Sequence, residues 1–370
     1  MMHLAMAALL ALAQNDKTQA NSYDDAWEAG WKAHCQAVLS GGTGKTTGLV
    51  LQVGDSITHA NPYSQWPRST SVSAGKTSED DAVCLWALTT VAFPATQTDP
   101  TSTNGFYLAV ADTSGGRGMT ASGGIATDEF ISGNGNGGTL MPADTTQSSA
   151  RTKVADGGGY TGNIHITTLA NAYSNAQFAV LMLGTNDFTG SRTVPAFIAD
   201  LTTIINTLEG MHIAVVLSTI PPRFIPGGPP TVQDVTAYNT AIRSLAQSIG
   251  LPLIDYYAEI LARRPGTTWE NTLISSDGIH PTGAAASADP YSPGGNALTH
   301  QTGTNATNDG YLLRSWLTMQ KLKEVKSYVI DDAPIPGGGG TAPSSGACGL
   351  TGLEAAILLA LLAAYRKSGF

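Results

Sequence analysis

The stretch Leu49-Val50-Leu51-Gln52-Val53-Gly54-Asp55-Ser56-Ile57-Thr58 joins an apolar run to a short polar turn. A continuous apolar run is typical of a strand that is covered on both faces of a parallel sheet. Gly54 lets the backbone turn sharply, and a helix that begins at this turn offers free N–H groups to a negative charge. The pattern predicts that Ser56 stands at the carboxyl end of a central strand, where a nucleophile can be held.

Two later segments carry polar residues that suit catalysis at the same edge. Val180 to Leu183 is a second apolar run, and Asn186 and Asp187 follow it closely. The segment Asp277-Gly278-Ile279-His280-Pro281 places a carboxylate and an imidazole within one turn of each other. In a parallel sheet, ligands bind beyond the carboxyl ends of the strands, so we expect these groups to meet Ser56 there.

The regular alternation of strands and helices predicts the fold class. It begins at residue 177, after a first helix over Ser22 to Leu39. Such alternation is typical of an α/β fold with a central parallel sheet and helices on both faces. The predicted elements are strand Phe178 to Leu183, helix Val194 to Leu208, strand Ile213 to Ile220, helix Val232 to Ile249, strand Leu253 to Tyr256 and helix Asp309 to Ser327.

Three short motifs resemble a known family. GDSIT (54–58), GTND (184–187) and DGIHP (277–281) resemble, in this order, blocks I, III and V of the SGNH (GDSL-type) hydrolases. The resemblance covers roughly residues 48 to 328. It implies a three-layer α/β/α sandwich with a flavodoxin-like parallel sheet, and a serine esterase that needs no cofactor.

The resemblance also assigns roles to individual residues. Ser56 would be the nucleophile, His280 the general base and Asp277 the group that orients the imidazole. The side chain of Asn186 and the N–H of Ser56 would form part of an oxyanion hole.

The third oxyanion donor is less sharply defined. Gly118, in Gly118-x-Thr120, resembles the block II pattern best, and Gly123 is the alternative. The asparagine that often precedes this block is missing.

Structural interpretations stand beside these roles. Ser56 could simply cap the next helix, and Asn186 could be a turn former. Asp55 is expected to be a capping carboxylate, and Asp187 is expected to be structural. The loop from Gly41 to Thr47 resembles the phosphate loop of partition-type ATPases, but a helix precedes it and a strand follows, the reverse of what such a loop needs. Nucleotide binding is kept as a minor alternative.

Composition excludes some partners. The net charge is −9 and Lys and Arg form no cluster outside the C-terminus, so nucleic acid is not expected to bind. The spacing of His, Cys, Asp and Glu predicts no metal site.

The domain limits follow from the termini and from one irregular region. Residues 1–13 are predicted to be a signal peptide, with an ordinary helix start as the alternative. A hydrolase domain over 14–330 would carry a Gly/Thr-rich insertion at about 63–161 that forms a wall or lid, with strands at Ala82 to Val91 and Phe106 to Val110. A linker (331–347) and an apolar segment (348–370) follow.

The termini predict an exported bacterial protein, located in the periplasm, at the cell surface or outside the cell. Segment 348–370 resembles a bacterial sorting or anchor signal that could attach the protein to a membrane or cell surface; a plain tail helix is the alternative. Export would permit Cys35 to pair with Cys84, although two free buried thiols would give the same sequence.

The predicted activity is hydrolysis of carboxylic esters, with a preference for acetyl or other short acyl groups on carbohydrate. Tyr63, Trp66 and Trp86 lie in the insertion, where their rings could meet sugars, although aromatic residues more often fill cores. The alternatives are a lipase-like or aryl esterase and a non-catalytic surface scaffold that binds carbohydrate.

Overall fold

The computed structural model describes residues 22–60, 62–69, 75–87, 120–121, 124–132, 152–153, 160–161, 166–226, 231–284, 289–290 and 309–335. The chain divides into two compact units, Met1–Ala333 and Pro334–Phe370. The predicted signal peptide, the predicted strand at Phe106 to Val110 and the C-terminal segment lie outside the described residues.

The central sheet is parallel and buried. Its strands lie in the order β1 (Val50–Gly54), β4 (Phe178–Met182), β5 (Ala214–Ser218) and β8 (Leu253–Ile254). Gly54 of β1 pairs with Met182 of β4. Every residue of these strands is buried, as expected for strands covered on both faces. Two antiparallel pairs, β2-β3 and β6-β7, lie outside this sheet. The strands are β1 Val50–Gly54, β2 Thr152–Lys153, β3 Tyr160–Thr161, β4 Phe178–Met182, β5 Ala214–Ser218, β6 Arg223–Ile225, β7 Thr231–Gln233 and β8 Leu253–Ile254.

Helices form the two outer layers. The helices are α1 Glu28–Ser40, α2 Ser56–His59, α3 Pro62–Arg68, α4 Ser78–Ala87, α5 Thr127–Ser132, α6 Ile166–Ala172, α7 Thr185–Thr189, α8 Val194–Gly210, α9 Thr236–Ile249, α10 Tyr256–Arg263 and α11 Gly310–Val325. Helix α8 packs against β5, α5, α6 and α9, whereas α11 packs against β8, α3, α4 and α10. The predicted α/β class with a central parallel sheet is confirmed.

Two sequence predictions about secondary structure are wrong. The described part of the predicted strand Ala82 to Val91, residues 82–87, belongs to α4 and is helical. This helix begins with a reciprocal cap, in which Asp80 accepts from the Thr77 N–H and Thr77 Oγ1 accepts from the Asp80 N–H. The helix predicted to begin at Val232 begins only at Thr236, because β7 pairs with β6 first.

The first part of the predicted insertion belongs to the core. Tyr63 and Trp66 on α3 are fully buried, and α3 packs against α11. Cys35 and Cys84 are buried and unpaired, so the structure has the two free thiols of the second alternative. Among the helices that the structure describes, none combines the length and apolarity that crossing a membrane requires.

Candidate active site

The nucleophile turn lies where β1 ends. Ser56 is the first residue of α2, and Asp55 caps this helix by accepting a hydrogen bond from the Ile57 N–H at 2.9 Å. The capping role predicted for Asp55 is therefore confirmed. A methyl group at Gly54 would lie 2.2 Å from Thr58 Oγ1 and 2.5 Å from the Met182 carbonyl oxygen, so only glycine fits here.

A chain of hydrogen bonds joins Ser56, His280 and Asp277. His280 Nε2 lies 2.9 Å from Ser56 Oγ, and His280 Nδ1 lies 2.7 Å from Asp277 Oδ2. An ionised carboxylate only accepts hydrogen bonds, so the proton of a neutral imidazole belongs on Nδ1. Nε2 is then free to accept the proton of the Ser56 hydroxyl.

The turn from Asp277 to His280 keeps its carboxylate ionised. Asp277 Oδ1 accepts hydrogen bonds from the N–H groups of Ile279 and His280 at 2.8 and 2.9 Å and from Ser275 Oγ at 2.8 Å. Partial burial would raise the pKa of Asp277, but these bonds and the imidazole together lower it to about 2. Gly278 makes the turn possible with φ of +76°.

Asp55 is a second carboxylate behind the nucleophile. It is fully buried, and its Oδ2 has no hydrogen-bond partner among the described residues. Burial raises the pKa of Asp55 to about 6, although the Ile57 N–H and the charges of Arg314 and His280 lower it. The surroundings of Asp55 therefore favour its protonated form, whereas those of Asp277 favour its ionised form.

Asn186 lies at the same edge of the sheet as Ser56. It belongs to α7, which follows β4, the neighbour of β1. Its Nδ2 donates to the Ile125 carbonyl oxygen at 2.9 Å, and because an amide nitrogen carries two hydrogens, one donor remains. Asp187 is buried and accepts hydrogen bonds from the Thr127 N–H and hydroxyl, the structural role that was predicted for it.

Gly118 and Gly123 lie outside the described residues, but their neighbours are described. Thr120 Oγ1 donates to the Gln52 carbonyl oxygen at 2.6 Å, and Ala121 forms a parallel bridge with Gly54. The chain at Ala121 therefore runs alongside β1, in the same direction, on the side of β1 away from β4.

Two buried arginines near the site were not predicted. On α11, Arg314 donates to the Ile57 carbonyl oxygen at 2.7 Å and to Thr58 Oγ1 at 2.8 Å, and it stacks on the Tyr63 ring. On β6, Arg223 is 3% exposed and contacts α7. The position of Arg314 within the apolar run from Tyr311 to Leu317 could have indicated its burial. No local pattern indicates the burial of Arg223.

The loop from Gly41 to Thr47 lies at the opposite edge of the sheet, before β1. It lines a cavity of about 370 Å³ together with residues that precede β4 and β5. Lys45 Nζ donates to the carbonyl oxygens of Ser174, Ala176 and Met211, so its three hydrogens already have acceptors. Burial lowers the pKa of Lys45 to about 8. These contacts favour a structural role for the loop over nucleotide binding.

No group of three or more His, Cys, Asp or Glu residues within the described ranges is arranged to hold a metal ion. The polar groups at the active edge are instead a hydroxyl, an imidazole, carboxylates and an amide, which together suit acyl transfer.

A family profile matches this part of the chain. Residues 120–288 match the GDSL-like lipase/acylhydrolase family, a range that contains Asn186, Asp277 and His280 and begins after Ser56. Residues 120–288 are therefore similar to a GDSL-like lipase/acylhydrolase domain. The protein is therefore a carboxylic ester hydrolase. A search of curated proteins finds no match.

Solved structures similar to this GDSL-like hydrolase include three distant ones. An acetyl esterase variant with an acetate ion is 15% identical, with a TM-score of 0.33 over 63% of this chain and 87% of that one. A Bacillus subtilis protein is 17% identical, with a TM-score of 0.34 over 66% and 54%. A candidate GDSL-like lipase from Parabacteroides merdae is 13% identical, with a TM-score of 0.34 over 75% and 97%.

Proposed function

We propose that the protein hydrolyses esters through an acyl-enzyme formed on Ser56. The observation that carries this proposal is the hydrogen-bonded chain from Ser56 Oγ through His280 to Asp277. Ser56 Oγ bonds to the ester carbonyl carbon as its proton passes to His280 Nε2, and Asp277 stabilises the imidazolium. The alcohol leaves with that proton. Water then attacks the acyl group, which departs as the acid and restores the Ser56 hydroxyl.

The oxyanion would be met by three donors. They are the Ser56 N–H, the remaining amide hydrogen of Asn186 and the N–H of the glycine that the sequence pattern predicts, Gly118 or Gly123. A donor of this kind contributes about 3 kcal/mol. Gly118 stays the predicted third donor on its sequence pattern, with Gly123 as the alternative.

The substrate class that we propose is a short-chain acyl ester, such as an acetyl ester, on a carbohydrate. The side chains of His280 and Asp277 are 37% and 50% exposed, which supports an alcohol too large for a closed cavity. Tyr63 and Trp66 no longer support sugar binding, because both are fully buried. Acetylated polysaccharides, compared with acyl esters of graded length, would separate this substrate class from a lipase-like preference.

The catalytic proposal is tested by the release of p-nitrophenol from p-nitrophenyl acetate. Ser56→Ala should lower kcat more than about a thousandfold, because the nucleophile is lost. Ser40→Ala, at the exposed end of α1, is the matched control and should keep wild-type activity. If Ser56→Ala retains activity, or if the wild type has none on any ester, the serine mechanism is wrong and a non-catalytic scaffold becomes the better interpretation.

Export is part of the proposal, and its support is the composition of residues 1–13 and 348–370. Production of the full chain in a bacterial host, followed by cell fractionation and mass determination, tests it. Recovery from the periplasm or the surface with a shortened N-terminus is expected. Retention in the cytoplasm with Met1 in place would contradict it.

A further inference from the structure

Arg223 holds the peptide unit that precedes Asn186. Its Nη1 donates to the Thr185 carbonyl oxygen at 2.8 Å and to Thr189 Oγ1 at 2.7 Å. The Thr185 carbonyl and the Asn186 N–H belong to one rigid peptide plane. The hydrogen bond from Arg223 to the Thr185 oxygen therefore orients the backbone that carries the Asn186 side chain. Thr189 Oγ1 donates to the same carbonyl oxygen at 2.9 Å and completes the cluster.

The next residue, Phe224, holds the loop that carries the acid and the base. Its N–H donates to the Gly278 carbonyl oxygen at 3.1 Å. This carbonyl shares a peptide plane with the Ile279 N–H, which donates to Asp277 Oδ1 at 2.8 Å. Two adjacent residues of β6 therefore bind two peptide planes. One plane directly precedes Asn186, and the N–H of the other donates to Asp277.

The environment of Arg223 suits a fixed connection. The side chain is 3% exposed, and its guanidinium lies 5.3 Å from the centre of the Phe188 ring on α7. The charges of Asp55 and Asp277 both act on it. A buried guanidinium that already donates to a carbonyl oxygen and a hydroxyl has little freedom to change partners.

We propose that Arg223 is a positioning residue for ester hydrolysis, setting the place of the Asn186 amide relative to the Asp277 and His280 pair. This inference rests on the proposed function, in which Asn186 is an oxyanion donor. Arg223 itself does not contact the reacting atoms. Arg223 acts through the Thr185 peptide. Its replacement should therefore lower kcat no more than removal of the Asn186 amide does.

A double-mutant cycle between Arg223→Met and Asn186→Ala tests this coupling. Loss of one oxyanion donor costs about 10²- to 10³-fold in kcat, so we expect Asn186→Ala to fall in that range. Arg223→Met alone should lower kcat about 10- to 100-fold and change KM less than about threefold, since only transition-state stabilisation is lost. In the Asn186→Ala background, Arg223→Met should lower kcat less than about threefold further.

All rates are referred to active sites titrated with a fluorophosphonate that labels the nucleophilic serine. Arg243→Met is the matched control: it removes a guanidinium that donates to both oxygens of Asp255, a residue with no role in the proposed mechanism. It should lower the thermal unfolding midpoint and leave kcat per titrated site unchanged. Arg223→Lys keeps one donor and should recover part of kcat, which preserves the test if Arg223→Met does not fold.

The failures of the two proposals are distinguishable. If Asn186→Ala lowers kcat but the two substitutions multiply, Arg223 acts independently of Asn186 and the inference is wrong. If Arg223→Met raises KM with kcat unchanged, it is also wrong. If Asn186→Ala leaves kcat at the wild-type value, the oxyanion role in the proposed function fails first.

Discussion

Replacement of Asp55 by asparagine should remove a pH-dependent cost of folding. The Asp55 carboxyl is fully buried, and its pKa is raised from 3.8 to about 6. Between these values the native protein holds a proton on Asp55 that the unfolded chain has lost. Stability therefore falls as pH rises through this window, because the native state must either keep that proton or bury a charge.

The size of the effect follows from the pKa shift. A rise of about two pKa units corresponds to about 3 kcal/mol of unfolding free energy, lost progressively between about pH 4 and pH 6. Asparagine keeps an oxygen that can accept from the Ile57 N–H, so the cap on α2 is retained. The constant cost of a buried amide does not alter the pH dependence.

Urea unfolding of the wild type and of Asp55→Asn at pH 4, 5, 6 and 7 measures the difference. The unfolding free energy of the variant minus that of the wild type should become more positive by about 2.5 kcal/mol from pH 4 to pH 7. As pH rises, the wild type should lose this unfolding free energy relative to the variant. A difference that stays constant within about 0.5 kcal/mol, or one that changes in the opposite direction, would refute the buried-carboxylate argument.

Two further substitutions test the catalytic loop. Gly278→Ala would place a methyl group 2.0 Å from the Phe224 carbonyl oxygen at φ of +76°, so kcat and the unfolding midpoint should both fall. Gly266→Ala is the control, because Gly266 also has a positive φ, +67°, but an added methyl group would meet no atom within 4 Å. It measures the backbone cost alone, about 1–2 kcal/mol. Equal losses in both variants would contradict the steric explanation. Asp277→Asn should lower kcat by about 10²- to 10⁴-fold, because His280 loses its charged partner and its correct tautomer; a fall of less than threefold would exclude Asp277 from the mechanism.

The sequence predicted most successfully where the pattern is local. The apolar runs before Ser56 and Asn186 are buried parallel strands, as their composition indicated, and the capping role of Asp55 follows from its place one residue before a helix. The strand prediction at Ala82 to Val91 failed because the apolar spacing is ambiguous over so short a segment, and the cap between Thr77 and Asp80 selected a helix.

Contacts between distant residues could not be predicted from the chain. Arg223 donates a hydrogen bond to Thr185, 38 residues away along the chain, and Arg314 donates one to Ile57, 257 residues away. The burial of Tyr63 and Trp66 depends in the same way on the position of α11, which decides whether an aromatic ring fills the core or faces a ligand.

The amino-acid sequence by itself indicated the alternation of strands and helices, the resemblance to GDSL-type hydrolases and the candidate hydroxyl, imidazole and carboxylate, because periodicity and short motifs are properties of neighbouring residues. Only the tertiary structure decided that Ser56 and His280 lie 2.9 Å apart and that β6 connects α7 to the loop from Asp277 to His280. Such distances depend on how the layers pack, and packing joins side chains that no local pattern relates.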